Sequence, residues 1–344
     1  MMRLFRLHPL RSLGIALVLF FTVALIWVVL PIQPKAIGSP LLGFTYSVSA
    51  AEYLGLDPKQ TFEHVVIELR PELVRLPLYW DRIEAVQGVY DWSEIDTQLN
   101  YLQPLDTQAL LVIGHKLPRW PECHLPSWLD AHDAQTSQES LMRFLEAATE
   151  RYKDHPSLYA WQVENEALFA FGDCPTWSKD RDFLRREVRL VKEIDSNTPV
   201  FTSDSGEMSL WWRTTSLPVD GISISLYRVV YNKSFIHWPV NPYYYKFRKA
   251  IVHLFNKRFI ISELQTEPWG SGPVDRISDD EIEQSFPVEA LRERIDFART
   301  IEADAILAWG VEWWYYRQVT QGDERYWEQA KHVFNPHDRY IDSK

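Results

Sequence analysis

Two glutamates carry the chemistry that this sequence offers. Glu166 closes the run LYAWQVENEA at 158–167, and Glu263 sits within RFIISELQ at 258–265. Each stands at the end of a short stretch of apolar, aromatic and β-branched residues, the composition of a buried strand. A carboxyl group at the tip of a buried strand is costly to desolvate unless something pairs with it. Two such groups converging on one cavity would drive their pKa values apart, leaving one protonated as an acid and the other ionised as a nucleophile. Asn165 places an amide beside the first of them.

The elements that must position this pair are legible as an alternation of strand-like and helix-like segments. Strand-like runs occur at 41–48 (LLGFTYSV), 73–80 (LVRLPLYW), 109–115 (ALLVIGH), 158–163, 199–205 (PVFTSDS), 220–227 (DGISISLY), 258–265 and 305–310 (AILAWG). Between them lie amphipathic stretches. One should begin at Asp57-Pro58, a cap followed by a first-turn proline, and another at Ser93. A third should be capped by Ser137, with Leu141, Phe144, Leu145, Ala148 and Tyr152 on one face, and the last should span 323–334. Eight strands alternating with helices predict α/β architecture, a single (β/α)8 barrel. Glu166 and Glu263 are 263 − 166 = 97 positions apart, close to three βα units of roughly 31 residues each. Both should therefore open into the mouth at the carboxyl ends of the strands.

WQVENEA on the fourth strand and IISELQ on the seventh resemble the glycoside hydrolases of clan A, retaining (β/α)8 enzymes of the cellulase and β-glycosidase type. RLPLYWDRIE followed by GVYDWSEID strengthens the likeness, because clan members often carry an arginine on strand two and then a loop of the form G-x-Y-D-W. The resemblance covers most of residues 41–334. It implies cleavage of a β-glycosidic bond by double displacement, with Glu166 as acid and later base and Glu263 as nucleophile. By position, Arg75 and Tyr227 are the groups that would keep Glu263 ionised. The resemblance makes Asn165 the partner of the sugar hydroxyl next to the anomeric carbon, His115 a second group lining that subsite, and Trp309 the floor on which a ring stacks. Ala167 stands where many clan members have proline. Two further carboxylates need placing: strand alternation puts Glu164 on the face of Glu166, and Glu267, past the strand end, should touch substrate or loop. The same barrel could transfer sugars to an acceptor in place of water, or could have lost turnover and only bind carbohydrate.

Composition narrows the partners. The formal charge of −11 argues against nucleic acid and anionic headgroups; a neutral oligo- or polysaccharide fits. With 15 Trp the chain has more indole than a core usually requires. No metal-ligand spacing, phosphate loop or nucleophile elbow is present, so no cofactor or metal is expected, and a monomer is. Residues 13–30 are uncharged, 18 in a row, enough for a helix of roughly 27 Å. Arg3, Arg6 and Arg11 precede them. The expected organisation is a cytoplasmic basic segment at 1–12, a transmembrane signal-anchor at 13–32, a linker at 33–40 and an extracytoplasmic barrel at 41–344. Ala36 and Gly38 before Ser39 leave a cleaved signal peptide and a secreted enzyme as the alternative. Outside the cytoplasm, Cys123 and Cys174, on loops after consecutive strands, could form a disulfide or remain two buried thiols.

Overall fold

The eight apolar runs all form strands: β1 Leu41–Thr45, β2 Leu73–Pro77, β3 Gln108–Ile113, β4 Leu158–Val163, β5 Val200–Ser205, β6 Gly221–Leu226, β7 Arg258–Gln265 and β8 Ala305–Trp309. Each is parallel to its neighbours in sequence, and β1 pairs with β8 to close the barrel. The computed structural model describes residues 39–335 apart from 210 and 239, with isolated positions 14 and 19. The expected segments at 1–12 and 13–32 and most of the linker lie outside the described residues. Among the described residues no helix is long and apolar enough to cross a membrane.

The period-two alternation of each strand sorts the barrel into an inside and an outside. Leu73, Leu110, Ala160, Phe201, Ile260, Ala305 and Leu307 fill the interior as one buried cluster. Their alternating neighbours, among them Val74, Leu111, Trp161, Ile261 and Ile306, pack outward under the helices in a second and larger core. Burying each of the larger interior side chains, Leu, Ile and Phe, is worth roughly 2 kcal/mol, and this plug closes the lower barrel. The next inward positions up, Arg75 on β2 and Gln162 on β4, are polar and fully buried. The interior thus turns from apolar packing to chemistry at one level.

The helix at Pro58–Leu69 begins as expected, Asp57 accepting from the Gln60 amide at 2.8 Å. The helix assigned a Ser137 cap begins earlier, at Ala134. Asp133 is its cap, accepting from the Thr136 amide and hydroxyl, while Ser137 is buried and donates to the Asp130 carbonyl at 3.0 Å. The last helix is Arg325–Phe334, because Asp323 is taken by Arg317 and Arg325. A small antiparallel hairpin, Val229–Tyr231 with Phe235–His237, follows β6 without having been expected.

The register of β7 contains the irregularity that matters most. Against β6, Ile261 lies opposite Ile224, but the next pair is Glu263 with Ser225, so Ser262 is an extra residue. A bulge re-aims the side chain that follows it, and here that side chain is Glu263.

Candidate active site

Arg75 is the centre of the arrangement. Its Nη1 donates to Glu263 Oε1 at 2.8 Å, its Nη2 to Asn165 Oδ1 at 2.8 Å, and its Nε to Gln162 Oε1 at 3.0 Å. The guanidinium is wholly buried, which an arginine tolerates only when its donors are satisfied and its charge is paired. One rigid planar group therefore holds the carboxylate of β7 and the amide after β4 on neighbouring arms, each 2.8 Å away.

Glu166 reaches the same place by a turn. The strand ends at Val163, and both Glu164, at φ 60°, and Glu166, at φ 45°, take up left-handed backbone, a conformation that L-residues adopt only when their surroundings impose it. The imposition is visible. The Glu166 amide donates to Ser203 Oγ at 2.7 Å, and that hydroxyl donates to Asn165 Oδ1 at 2.8 Å. Lys116, buried in the loop after β3, donates through Nζ to the carbonyls of Glu166 and Phe169 at 3.0 and 2.8 Å. The Glu166 carboxyl accepts from the Ser225 hydroxyl. Ser225 is the residue in register with Glu263, one strand spacing of about 4.8 Å away, so Ser225 holds the Glu166 carboxyl on the strand next to that of Glu263. Burial first, and the charge of Glu263 second, push the Glu166 carboxyl up to about 8.

Asn165 presents its other end to the cavity. Its Oδ1 accepts from both Arg75 and Ser203, which assigns the amide orientation. Among the described residues nothing accepts from its Nδ2. Tyr227 stands beside Glu263, Glu267, Arg119 and Glu166; burial and then the negative charge of Glu263 raise its phenol well above the ordinary value, so it stays a neutral donor.

Three expectations are corrected. Glu164 does not share the face of Glu166, because the alternation stops at Val163. Its Oε1 accepts from the His115 amide and Nδ1, at 2.9 and 2.8 Å, and its Oε2 from the Lys116 amide at 2.6 Å. Gly114 makes room for it: a Cβ there would lie 2.4 Å from the Glu164 carboxyl. His115 does not line the subsite, since its second ring nitrogen is held by the Ser178 hydroxyl and its ring packs on Trp177. It braces the turn that carries Glu166. Trp309 is not an open floor, because the Arg119 guanidinium lies 4.0 Å from its ring centroid in a cation–π contact, and the indole is only 7% exposed. Glu267 organises that contact, accepting from Trp309 Nε1 at 2.8 Å and pairing with Arg119. It is a loop contact.

Behind the turn, Glu187 lies against Glu164. Burial, then the negative charge of Glu164 and the hydrogen bond to it, hold the Glu187 carboxyl well above its usual range. Burial would raise Glu164 too, but His115 and the hydrogen bonds to it hold it below the ordinary value. His115, Glu164 and Glu187 bring ligand atoms within 4.8 Å of one another, but burial and the charge of Glu164 favour the protonated form of Glu187, which is a poor ligand. Because the folded state keeps the Glu187 proton and the unfolded chain releases it at an ordinary pKa, this group stabilises the fold at low pH. That contribution is lost as pH rises above the unfolded value toward the folded one. Glu187→Gln should therefore flatten the fall in melting temperature between pH 5 and 9, by about 2–4 °C for about 1 kcal/mol. An unchanged slope in thermal melts would contradict a Glu187 that keeps its proton in the fold.

Sequence reasoning missed Lys116, Arg119, Ser203 and Ser225, whose residue types give no signal until the strands are in register. It also missed Glu122, in the loop after β3. The cue there was Cys123, the next residue. Cys123 and Cys174 are joined in a disulfide, which decides between the two states left open.

Comparison with known proteins agrees with this architecture. The model of "Glycosyl hydrolase family 10" matches residues 77–187, about a third of the chain, including Asn165 and Glu166. No match is found among curated proteins. Among solved structures, native xylanase 10B from Thermotoga maritima is similar at 14% identity and a TM-score of 0.59, over 89% of this chain and 97% of that one. A β-galactosidase from the Antarctic haloarchaeon Halorubrum lacusprofundi matches at 16% identity and a TM-score of 0.59, over 86% of this chain but 57% of that one. A GH5_18 protein from Streptomyces cattleya in complex with GlcNAc matches at 11% identity and a TM-score of 0.56, over 80% and 71%. At these identities the likeness is one of fold, and together with the motifs on β2, β4 and β7 it makes the chain resemble the clan A (β/α)8 glycoside hydrolases.

Proposed function

We propose that the protein is a retaining β-glycosidase that cleaves a neutral glycan outside the cytoplasm. Glu263 attacks the anomeric carbon while Glu166 gives its proton to the departing glycosidic oxygen, leaving a glycosyl ester on Glu263. Glu166, now a carboxylate, takes a proton from water as the water oxygen displaces Glu263 and restores the starting configuration. An acceptor sugar hydroxyl entering in place of water would give transglycosylation by the same steps. Arg75 pairs with Glu263 and aims it, Asn165 Nδ2 donates to the hydroxyl beside the anomeric carbon, and Tyr227 stands beside the nucleophile as a neutral phenol.

The observation that carries this reading is the arrangement of Glu263 and Asn165 on the two arms of Arg75, with the Glu166 carboxyl held on Ser225 and raised to about 8 by burial and by the charge of Glu263. A carboxyl that keeps its proton near neutral pH beside a second carboxyl is what a general acid requires, and a binding barrel has no use for the cost. A neutral substrate is supported by the formal charge of −11, by the carboxyl pair of the site, and by the sugars named for the xylanase and β-galactosidase structures. The Cys123–Cys174 bond supports an oxidising compartment, and the uncharged run at 13–30 supports export with the N-terminal segment retained as an anchor. Every group invoked comes from one chain, so a monomer suffices.

The test is turnover of a panel of 4-nitrophenyl β-glycosides, β-1,4-xylan and β-glucan by the wild-type protein. Release of new reducing ends supports the proposal. The second reading, a barrel that only binds carbohydrate, draws on Arg119 lying over Trp309. It is favoured if no substrate is cleaved while Glu166→Gln and wild type bind a glycan equally.

A further inference from the structure

Glu122 is a third carboxyl group near the pair, close enough for the charges of Glu263 and Glu166 to act on it, and no step of the double displacement uses it. It ends a four-residue turn whose first and last residues are both left-handed, Arg119 at φ 84° and Glu122 at φ 74°, closed by the Glu122 amide donating to the Arg119 carbonyl at 2.8 Å. Non-glycine residues persist in that conformation only where the surroundings over-determine it. Here the Leu117 amide donates to the Glu122 carbonyl at 2.7 Å, Lys116 bridges to Cys123, and Cys123 is bonded to Cys174 in the loop after β4. On the far side Gly172 approaches so closely that a Cβ there would lie 2.4 Å from Glu122 Cβ.

All of these contacts fix the Glu122 backbone, and none of them uses its carboxyl. Among the described residues no group donates a hydrogen bond to it, although the residue is 9% exposed. Burial, followed by the charges of Glu263 and Glu166, holds that carboxyl well above the usual range. It therefore presents one O–H donor and one carbonyl acceptor, the pairing that a sugar hydroxyl answers. Next to it on the same two loops are the exposed rings of Trp120 and Phe171, 6.2 Å apart, the kind of apolar surface on which a sugar ring lies.

We propose that Glu122 is a substrate-binding residue that hydrogen-bonds a hydroxyl of the sugar unit next to the cleaved bond, braced by the Cys123–Cys174 disulfide and adjoining a Trp120–Phe171 stacking surface. This rests on the glycosidase reading and adds a specificity element to it. A single hydrogen bond of this kind is worth about tenfold in binding.

The experiment compares wild type, E122A and E122Q on xylotetraose and on 4-nitrophenyl β-xyloside, which has no second sugar. The ratio of kcat/KM for xylotetraose to that for the aryl xyloside should fall about tenfold in E122A, through KM. It should recover in E122Q, which keeps a donor and an acceptor, and Cys123→Ser should reproduce the fall. Equal losses on both substrates, or no loss on either, overturn the proposal. If wild type cleaves no member of the glycoside panel, the glycosidase reading has failed separately, and calorimetric titration of xylotetraose into E166Q and E166Q/E122A decides the Glu122 contact. About tenfold weaker binding in the double variant sustains the contact, and equal binding or none in either overturns it.

Discussion

Glu263→Ala is expected to lower kcat by on the order of 10⁵-fold, the scale seen when the nucleophile of a covalent mechanism is removed. The loss should be reversible by a small anion. Truncation leaves a void beside the Arg75 guanidinium, which still donates to Asn165 and Gln162 but has lost its partner at 2.8 Å. Azide fits that void, is drawn to the uncompensated charge, and attacks the anomeric carbon from the side Glu263 occupied. With an activated aryl β-glycoside the product should be the glycosyl azide of inverted configuration, identified by NMR. Because removing one partner of a buried pair is destabilising by about 3–5 kcal/mol, a melting curve belongs beside the kinetics. Rescue by azide in a folded variant separates lost chemistry from lost structure. Failure of rescue with the fold intact would remove Glu263 from the reaction.

Glu166→Gln is expected to lose about 10²–10⁴-fold on natural glycans and much less on substrates whose leaving group needs no proton. The same residue sets the alkaline limb of activity. Only the protonated carboxyl can donate, so kcat/KM in the wild type should fall as pH rises through about 8, the value to which burial and the Glu263 charge push it. With Gln there is nothing to titrate and the limb should disappear for an aryl glycoside. Kinetics from pH 5 to 10 on one aryl glycoside and one xylo-oligosaccharide measure both effects. A limb that persists in Glu166→Gln would assign the proton to another group, with Glu122 the first to examine because burial also raises its carboxyl.

The barrel was legible because its strands are short apolar runs separated by amphipathic ones, and β7 matches its expected span residue for residue, Arg258–Gln265. Arg75, Asn165, Glu166 and Glu263 were legible because each sits at or near a strand end, where alternation or motif fixes direction. Legibility failed where backbone geometry departs from the ideal strand. The left-handed turn at Glu164 and Glu166 sends Glu164 to the loop amides that the alternation rule would have kept in the cavity. Glu122 and Arg119 ride on a turn whose direction depends on a disulfide and on the close approach of Gly172. Trp309 was read from its strand position alone, and no local pattern reveals that a cation from a loop roughly 190 residues earlier will lie on its ring. Serines 203 and 225 say nothing singly, yet in register they bind the Glu166 backbone and carboxyl.

The central claim, that Glu263 forms a bond to sugar while Glu166 stands opposite as its acid, is tested most directly by trapping the ester. A 2-deoxy-2-fluoro β-glycoside of the sugar that the panel identifies, carrying a good leaving group, should inactivate the protein in step with one added glycosyl mass. Peptide mass spectrometry should place that mass on Glu263. The same mass on Glu267, Glu122 or Glu166, or steady turnover of the reagent with product of inverted configuration and no adduct, would contradict the account.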